Sequence, residues 1–129
     1  MRLLLDTHTF LWFIDGDTAL SPYARQLIED RTNERLLSIA SLWEMAIKAS
    51  LGRLTLALPF TGLVAEHVHG NAIELFEILP RHLDVLTTLP FHHKDPFDRM
   101  IIAQSQAENI PILSRDSAFD DYAIRRLWS

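Results

Sequence analysis

The stretch HHKDPFDRMIIAQSQAENIPILSRD, residues 92–116, holds a helix start, a helix, a short strand and an acid near each end. Asp95 followed by Pro96 is an N-cap with proline at the first helical position, where its missing N–H costs nothing. Phe97, Met100, Ile101 and Ala107 recur at helical spacing, so one face of this helix is buried. Asp98 falls in the first turn, where the positive end of the helix dipole favours a carboxylate. After Glu108-Asn109 the chain enters Ile110-Pro111-Ile112-Leu113, a short apolar strand ending in Ser114-Arg115-Asp116. Open α/β sheets place their ligands outside the carboxyl ends of strands, which is where such junctions lie. Each acid alone also has an ordinary explanation, Asp98 as a complement to the dipole and Asp116 as a turn residue.

Working outward, the same alternation fills the chain. Leu3-Leu4-Leu5 with Asp6 at its end reads as a strand buried on both faces. A helix follows over 7–14, and Ser21-Pro22 opens another, with Ala24, Leu27 and Ile28 on its buried side. Residues 36–39 form a second strand, and Ser41 to Gly52 a helix closed by glycine. Phe60, Leu63, Val64, His67 and Val68 mark an amphipathic helix, and residues 72–78 a third strand candidate. Pro80 begins a helix carrying Leu83 and Leu86, and Tyr122 to Trp128 is a final strand or tail. His67 and His69 point apart on a helix, while His92 and His93 are expected to be solvated in the loop before Asp95. Strands alternating with helices predict one α/β domain over 1–129 with a mainly parallel sheet.

Composition narrows the chemistry. With 48% hydrophobic residues in 129, a sizeable core is possible. There is no cysteine, which excludes disulfides, thiolate nucleophiles and sulfur-ligated zinc. No signal segment and no membrane-length apolar run is read, so a soluble cytoplasmic protein without membrane association is expected. A net charge of −5 is not that of an ordinary nucleic-acid binder, although Lys94, Arg99, Arg115, Arg125 and Arg126 concentrate in the last third. Phosphate-binding glycine loops and a G-x-S-x-G elbow are both absent.

What recurs is carboxylate at element ends: Asp6, Glu44, Asp98 and Asp116. Asp6 could instead cap the next helix, and Glu44 could serve a capping box with Ser41 and an i,i+4 pair with Lys48. If the four met, anions about 5 Å apart would repel by roughly 3 kcal/mol per pair at an effective dielectric near 20. Stability does not explain such a cluster, whereas a hard divalent cation does. Metal-assisted phosphodiester hydrolysis is the natural chemistry.

The blocks Asp6-Thr-His-Thr-Phe-Leu-Trp12, Ser38-Ile-Ala-Ser-Leu-Trp-Glu44, His93-Lys-Asp-Pro-Phe-Asp98-Arg99 and Ser114-Arg-Asp116 stand in order along the whole chain. Together they resemble the signatures of PIN-domain proteins, with the greatest similarity to VapC-type toxins of bacterial toxin–antitoxin pairs. The resemblance implies a three-layer α/β/α fold and Mg²⁺- or Mn²⁺-dependent endoribonuclease activity. It implies Asp6, Glu44 and Asp98 as core metal-site acids, completed by Asp116, with Ser114 where the family often has threonine. Ser114, Arg99 and Thr7 are the candidates for contact with RNA, Arg99 having a pair with Asp95 as its alternative. A homodimer and a small cognate antitoxin are the implied partners. A housekeeping PIN nuclease of RNA maturation, a metal-dependent phosphatase using Asp6-x-His8, and a non-catalytic interaction module with structural acids are the competing readings.

Overall fold

In the computed structural model, which describes residues 1–129, Leu3, Leu4 and Leu5 are fully buried in β1 (Arg2–Leu5) at the middle of the sheet. The other strands are β2 (Glu34–Ser38), β3 (Glu74–Phe76), β4 (Ile112–Leu113) and β5 (Arg126–Leu127). Every pairing is parallel, in the order β3-β2-β1-β4-β5. Register puts Leu4 beside Leu36 and Ile112, and Leu5 beside Leu37 and Leu113. Because side chains alternate across a strand, this register sorts them by face. Leu5, Leu37 and Leu113 enter one core; Leu4, Leu36 and Ile112 enter the other.

Helices close both faces. Phe10 of α1 (Thr7–Asp15), Ala24 and Ile28 of α2 (Pro22–Glu29) and Met45 of α3 (Ile39–Ser50) complete the first core. It extends to Leu63 of α4 (Phe60–Leu63) and to Val68 in the π-helical turn Val64–Val68. The second core is completed by Ile101 and Ile102 of α6 (Pro96–Glu108), which packs against α5 (Pro80–Thr88). Each buried leucine or isoleucine here contributes roughly 1.5–3 kcal/mol. The result is the expected three-layer α/β/α arrangement. The chain moves from β1 to β2 and β3 on one side, then returns to β4 on the other side of β1. The carboxyl ends of β1 and β4 therefore flank the switch point where open parallel sheets leave a crevice. No helix is long and apolar enough to cross a membrane.

Several local expectations are corrected. The helix bearing Glu44 begins at Ile39, capped by the Ser38 hydroxyl on the Ala40 amide, so Ser41 is interior and the capping box with Glu44 does not form. Leu83 is exposed, whereas His82 is buried and stitches α5 to α6 by donating from Nε2 to Glu108 Oε1 at 2.8 Å. Its Nδ1 accepts from the Leu79 amide, which fixes that tautomer. Arg99 neither pairs with Asp95 nor points to solvent. Its guanidinium donates to Leu89 O at 3.1 Å and Pro90 O at 2.8 Å beneath the Phe91 ring, tying the loop before α6 to the helix.

Candidate metal centre

Asp6 follows β1 directly and is almost fully buried. Its Oδ1 accepts from the Thr7 amide at 2.7 Å, so it caps α1, and its Oδ2 accepts from Ser114 Oγ at 2.8 Å. The cap expected of Asp6 is therefore present, and it holds the carboxylate at the carboxyl end of β1. Burial raises its pKa, opposed by the Ser114 hydrogen bond. Ser114 is itself fully buried and its Oγ also accepts from the Asp116 amide at 3.0 Å. It is therefore not free to meet a substrate, as the sequence suggested. It joins the end of β4 to the end of β1 and sets the direction of Asp6.

Thr7 is likewise buried. Its hydroxyl lies 2.8 Å from both Ser41 Oγ and Glu44 Oε1, donating to the carboxylate while the serine hydroxyl donates to it. Lys48 Nζ lies 2.7 Å from Glu44 Oε2, the i,i+4 pair expected from the spacing. Glu44 consequently sits in the wall with its charge compensated, and the Glu44 partner raises the Lys48 pKa. Thr7 is a support for Glu44 rather than a contact surface.

Asp98 bears the strain of the cluster. It lies in the first turn of α6, behind the Asp95 cap that accepts from the Phe97 and Asp98 amides. Burial first, then the charges of Asp6, Asp95, Glu44 and Asp116, push its pKa up to about 8. Those charges show that the acids separated by up to 110 positions in sequence face one region. Helix-dipole attraction, the ordinary explanation for Asp98, would lower its pKa and is overwhelmed here. Asp116 is exposed at the rim, where it caps the 3₁₀ turn Ser117–Asp121 through the Ala118 amide.

Sequence reasoning missed His93. Donor atoms of His93, Asp98 and Asp116 lie within 4.8 Å of one another. His93 is half-buried rather than solvated, its ring stacked on Phe119 at 5.6 Å and 17°. The clue available in the sequence was the aromatic pair Phe119 and Tyr122 shortly after Asp116, which supplies a wall for a ring. Beside the trio, a cleft of about 430 Å³ is lined by Asp6, His8, Trp12, Arg115, Asp116 and Ser117. The Arg115 guanidinium lies 4.7 Å above the Trp12 ring, a cation–π contact that places positive charge at the mouth of an acidic site.

The donor set fits a divalent cation. A carboxylate whose neighbours hold it protonated near neutrality is relieved by a dication, and carboxylate oxygens suit Mg²⁺ and Mn²⁺. Asp6, Asp98 and Asp116 would hold it, with Glu44 behind them. Because Ser114 orients Asp6, Ser114→Ala should weaken Mn²⁺ affinity by about tenfold, as loss of an outer hydrogen bond to a ligand typically does. Isothermal titration checks this, and unchanged affinity would show that Asp6 needs no such support.

A family model of the PIN domain matches residues 3–125. Sequence comparison with curated proteins returns no match. Among solved structures, VapBC2 from Rickettsia felis bound to a promoter DNA fragment superposes with a TM-score of 0.74 at 14% identity, covering 100% of both chains. DNA-bound VapBC from Salmonella typhimurium gives 0.71 at 13% identity, covering 98% of this chain and 97% of that one. FitAcB from Neisseria gonorrhoeae gives 0.64 at 14% identity, covering 97% and 96%. At such identities the likeness is one of fold. With the family model spanning nearly the whole chain, and with the parallel sheet and the acids gathered at its switch point, this chain belongs to the PIN-domain family.

Proposed function

We propose that this PIN domain is the toxin of a toxin–antitoxin pair and acts as a divalent-metal-dependent endoribonuclease. Asp6, Glu44, Asp98 and Asp116 are the acids of its site, and Mg²⁺ or Mn²⁺ is its cation. The observation that carries this reading is the cluster itself: donor atoms of Asp98 and Asp116 lie within 4.8 Å, and burial with the neighbouring acids pushes Asp98 up to about 8. A fold maintained only for stability or for docking has no use for that repulsion. When bound, the cation supplies the positive charge that acidifies water and stabilises charge developing on a phosphodiester.

The chain's own residues divide the remaining work. The Thr7 amide and Ser114 hydroxyl hold Asp6. Lys48 and Thr7 hold Glu44, which keeps negative charge behind the site without adding an unpaired anion. Arg115, exposed and stacked on Trp12 in the cleft that Asp6 and Asp116 also line, is suited to a phosphate of the RNA strand. The decisive assay incubates purified protein with RNA in Mg²⁺, in Mn²⁺ and in EDTA. Metal-dependent cleavage with internal cut sites is expected, and intact RNA in all three would end the nuclease reading. Growth arrest on expression, relieved by a small neighbouring open reading frame, separates a toxin from a housekeeping nuclease.

A small antitoxin and a homodimer are the partners this reading brings with it. Trp43 is 60% exposed beside Glu44 in sequence and meets Phe97 edge-on at 5.2 Å, an apolar anchor next to the acids. An antitoxin segment anchored there would place Arg or Lys against the carboxylates, Arg being matched to them by its bidentate fork. Binding of a labelled antitoxin peptide should then weaken with Mg²⁺ beyond the loss caused by monovalent salt of equal ionic strength. Equal affinities under those two conditions would mean that inhibition does not use the metal site.

A further inference from the structure

Both ring nitrogens of His93 are shut off from solvent, and neither has a hydrogen-bonding partner. A buried polar atom left unsatisfied costs about 1–3 kcal/mol, so such a ring in a native fold calls for a missing partner. The ring has little freedom to seek one elsewhere. It stacks on the fully buried Phe119, leans on Tyr122 at 5.3 Å and 37°, and its own backbone amide donates to Tyr122 Oη at 2.8 Å. Phe119 belongs to the 3₁₀ turn that Asp116 caps, so one turn sets both the Asp116 carboxylate and the wall behind His93.

Resting on the metal-site reading above, we propose that His93 is a nitrogen donor to the same divalent cation, alongside Asp98 and Asp116. Two donors each about 2.1 Å from one cation are about 3 Å apart when adjacent and about 4.2 Å when opposite. A trio already within 4.8 Å reaches those separations by small side-chain rotations. The neutral imidazole lone pair gains the partner it lacks, and the cation gains a ligand that adds no negative charge to a crowded acidic site. The chemical consequence is selectivity. Imidazole favours the later transition metals, whereas Mg²⁺ strongly prefers oxygen, so a mixed nitrogen–oxygen set shifts preference toward Mn²⁺.

The test reads the metal rather than turnover. Electron spin-echo modulation of the full-length protein loaded with Mn²⁺ should show coupling to an imidazole nitrogen, and His93→Gln should abolish it. Titration calorimetry should show His93→Gln weakening Mn²⁺ binding by about tenfold while changing Mg²⁺ binding less than threefold. His92 is exposed and meets Tyr122 edge-on at 5.0 Å, so His92→Ala should leave both unchanged. Bound Mn²⁺ without nitrogen coupling in the unsubstituted protein overturns the role of His93 and leaves the acid site standing. Failure of that protein to bind either metal overturns both readings. The unsubstituted protein decides the matter even if His93→Gln does not fold.

Discussion

Asp98→Asn should abolish metal-dependent RNA cleavage, by about a thousandfold or more, while making the metal-free protein more stable near pH 8. A thousandfold loss corresponds to roughly 4 kcal/mol of transition-state stabilisation. The two halves of this prediction have one cause. Asp98 is the carboxylate on which burial and four acidic neighbours converge, so removing its charge relieves the empty site and disables the loaded one. Asparagine preserves size and remains in the first turn of α6 behind the unaltered Asp95 cap, so the helix start should survive. Single-turnover cleavage and urea melts in chelator-treated buffer measure the two halves. Near-normal turnover would remove Asp98 from the chemistry. Lost activity with lowered stability would mean that the substitution damages the fold.

The second large effect is a fall in stability of the metal-free protein as pH rises. In the folded state Asp98 keeps its proton up to about 8, whereas in the unfolded chain it releases it near the ordinary aspartate value of 3.8. Between those values the folded state binds the extra proton, so stability must fall with rising pH, and the penalty is complete above the folded value. The raised Asp6 acts in the same direction. Asp30, Glu108 and Asp120 have lowered values, so what they contribute is lost only as pH falls through the acid range. Between pH 5.5 and 8.5 the net loss should be about 1–3 kcal/mol, allowing for partial screening by solvent. Saturating Mn²⁺ should reverse the trend, because binding to the folded state alone adds stability and does so best when the carboxylates are ionised. A flat profile without metal would show that the acids are too well solvated to form a charged site.

Much of this architecture is readable from the sequence because it rests on local signals. Leu3-Leu4-Leu5 announces a strand buried on both faces, and Asp95-Pro96 marks the start of α6 to the residue. The Glu44–Lys48 pair follows from helical spacing alone. The signals that failed are those decided by distant partners. Ser38, not Ser41, caps α3, because the strand before it ends at Ser38 and the helix starts at once with Ile39. Arg99 looks like a surface cation until Leu89, Pro90 and Phe91 fold over it. His93 looks solvated until Phe119 arrives beside it from 26 positions away in the chain. Thr7 and Ser114 look like surface contacts for a substrate, and only tertiary contact reveals that they are buried and bonded to Glu44 and Asp6.

The hydrogen bond between Ser114 and Asp6 spans 108 positions, and β1 gains its second neighbour only when β4 exists. During synthesis at roughly 5–20 residues per second, β1 therefore waits roughly 5–20 s before the sheet can close around it. Throughout that interval Asp6 lacks its Ser114 support, and neither Asp98 nor Asp116 is in place until late in the chain. A nascent chain that stops short of β4 therefore holds no assembled acid cluster. The acids meet only once β4 has joined the sheet, so the site assembles in one late step of folding.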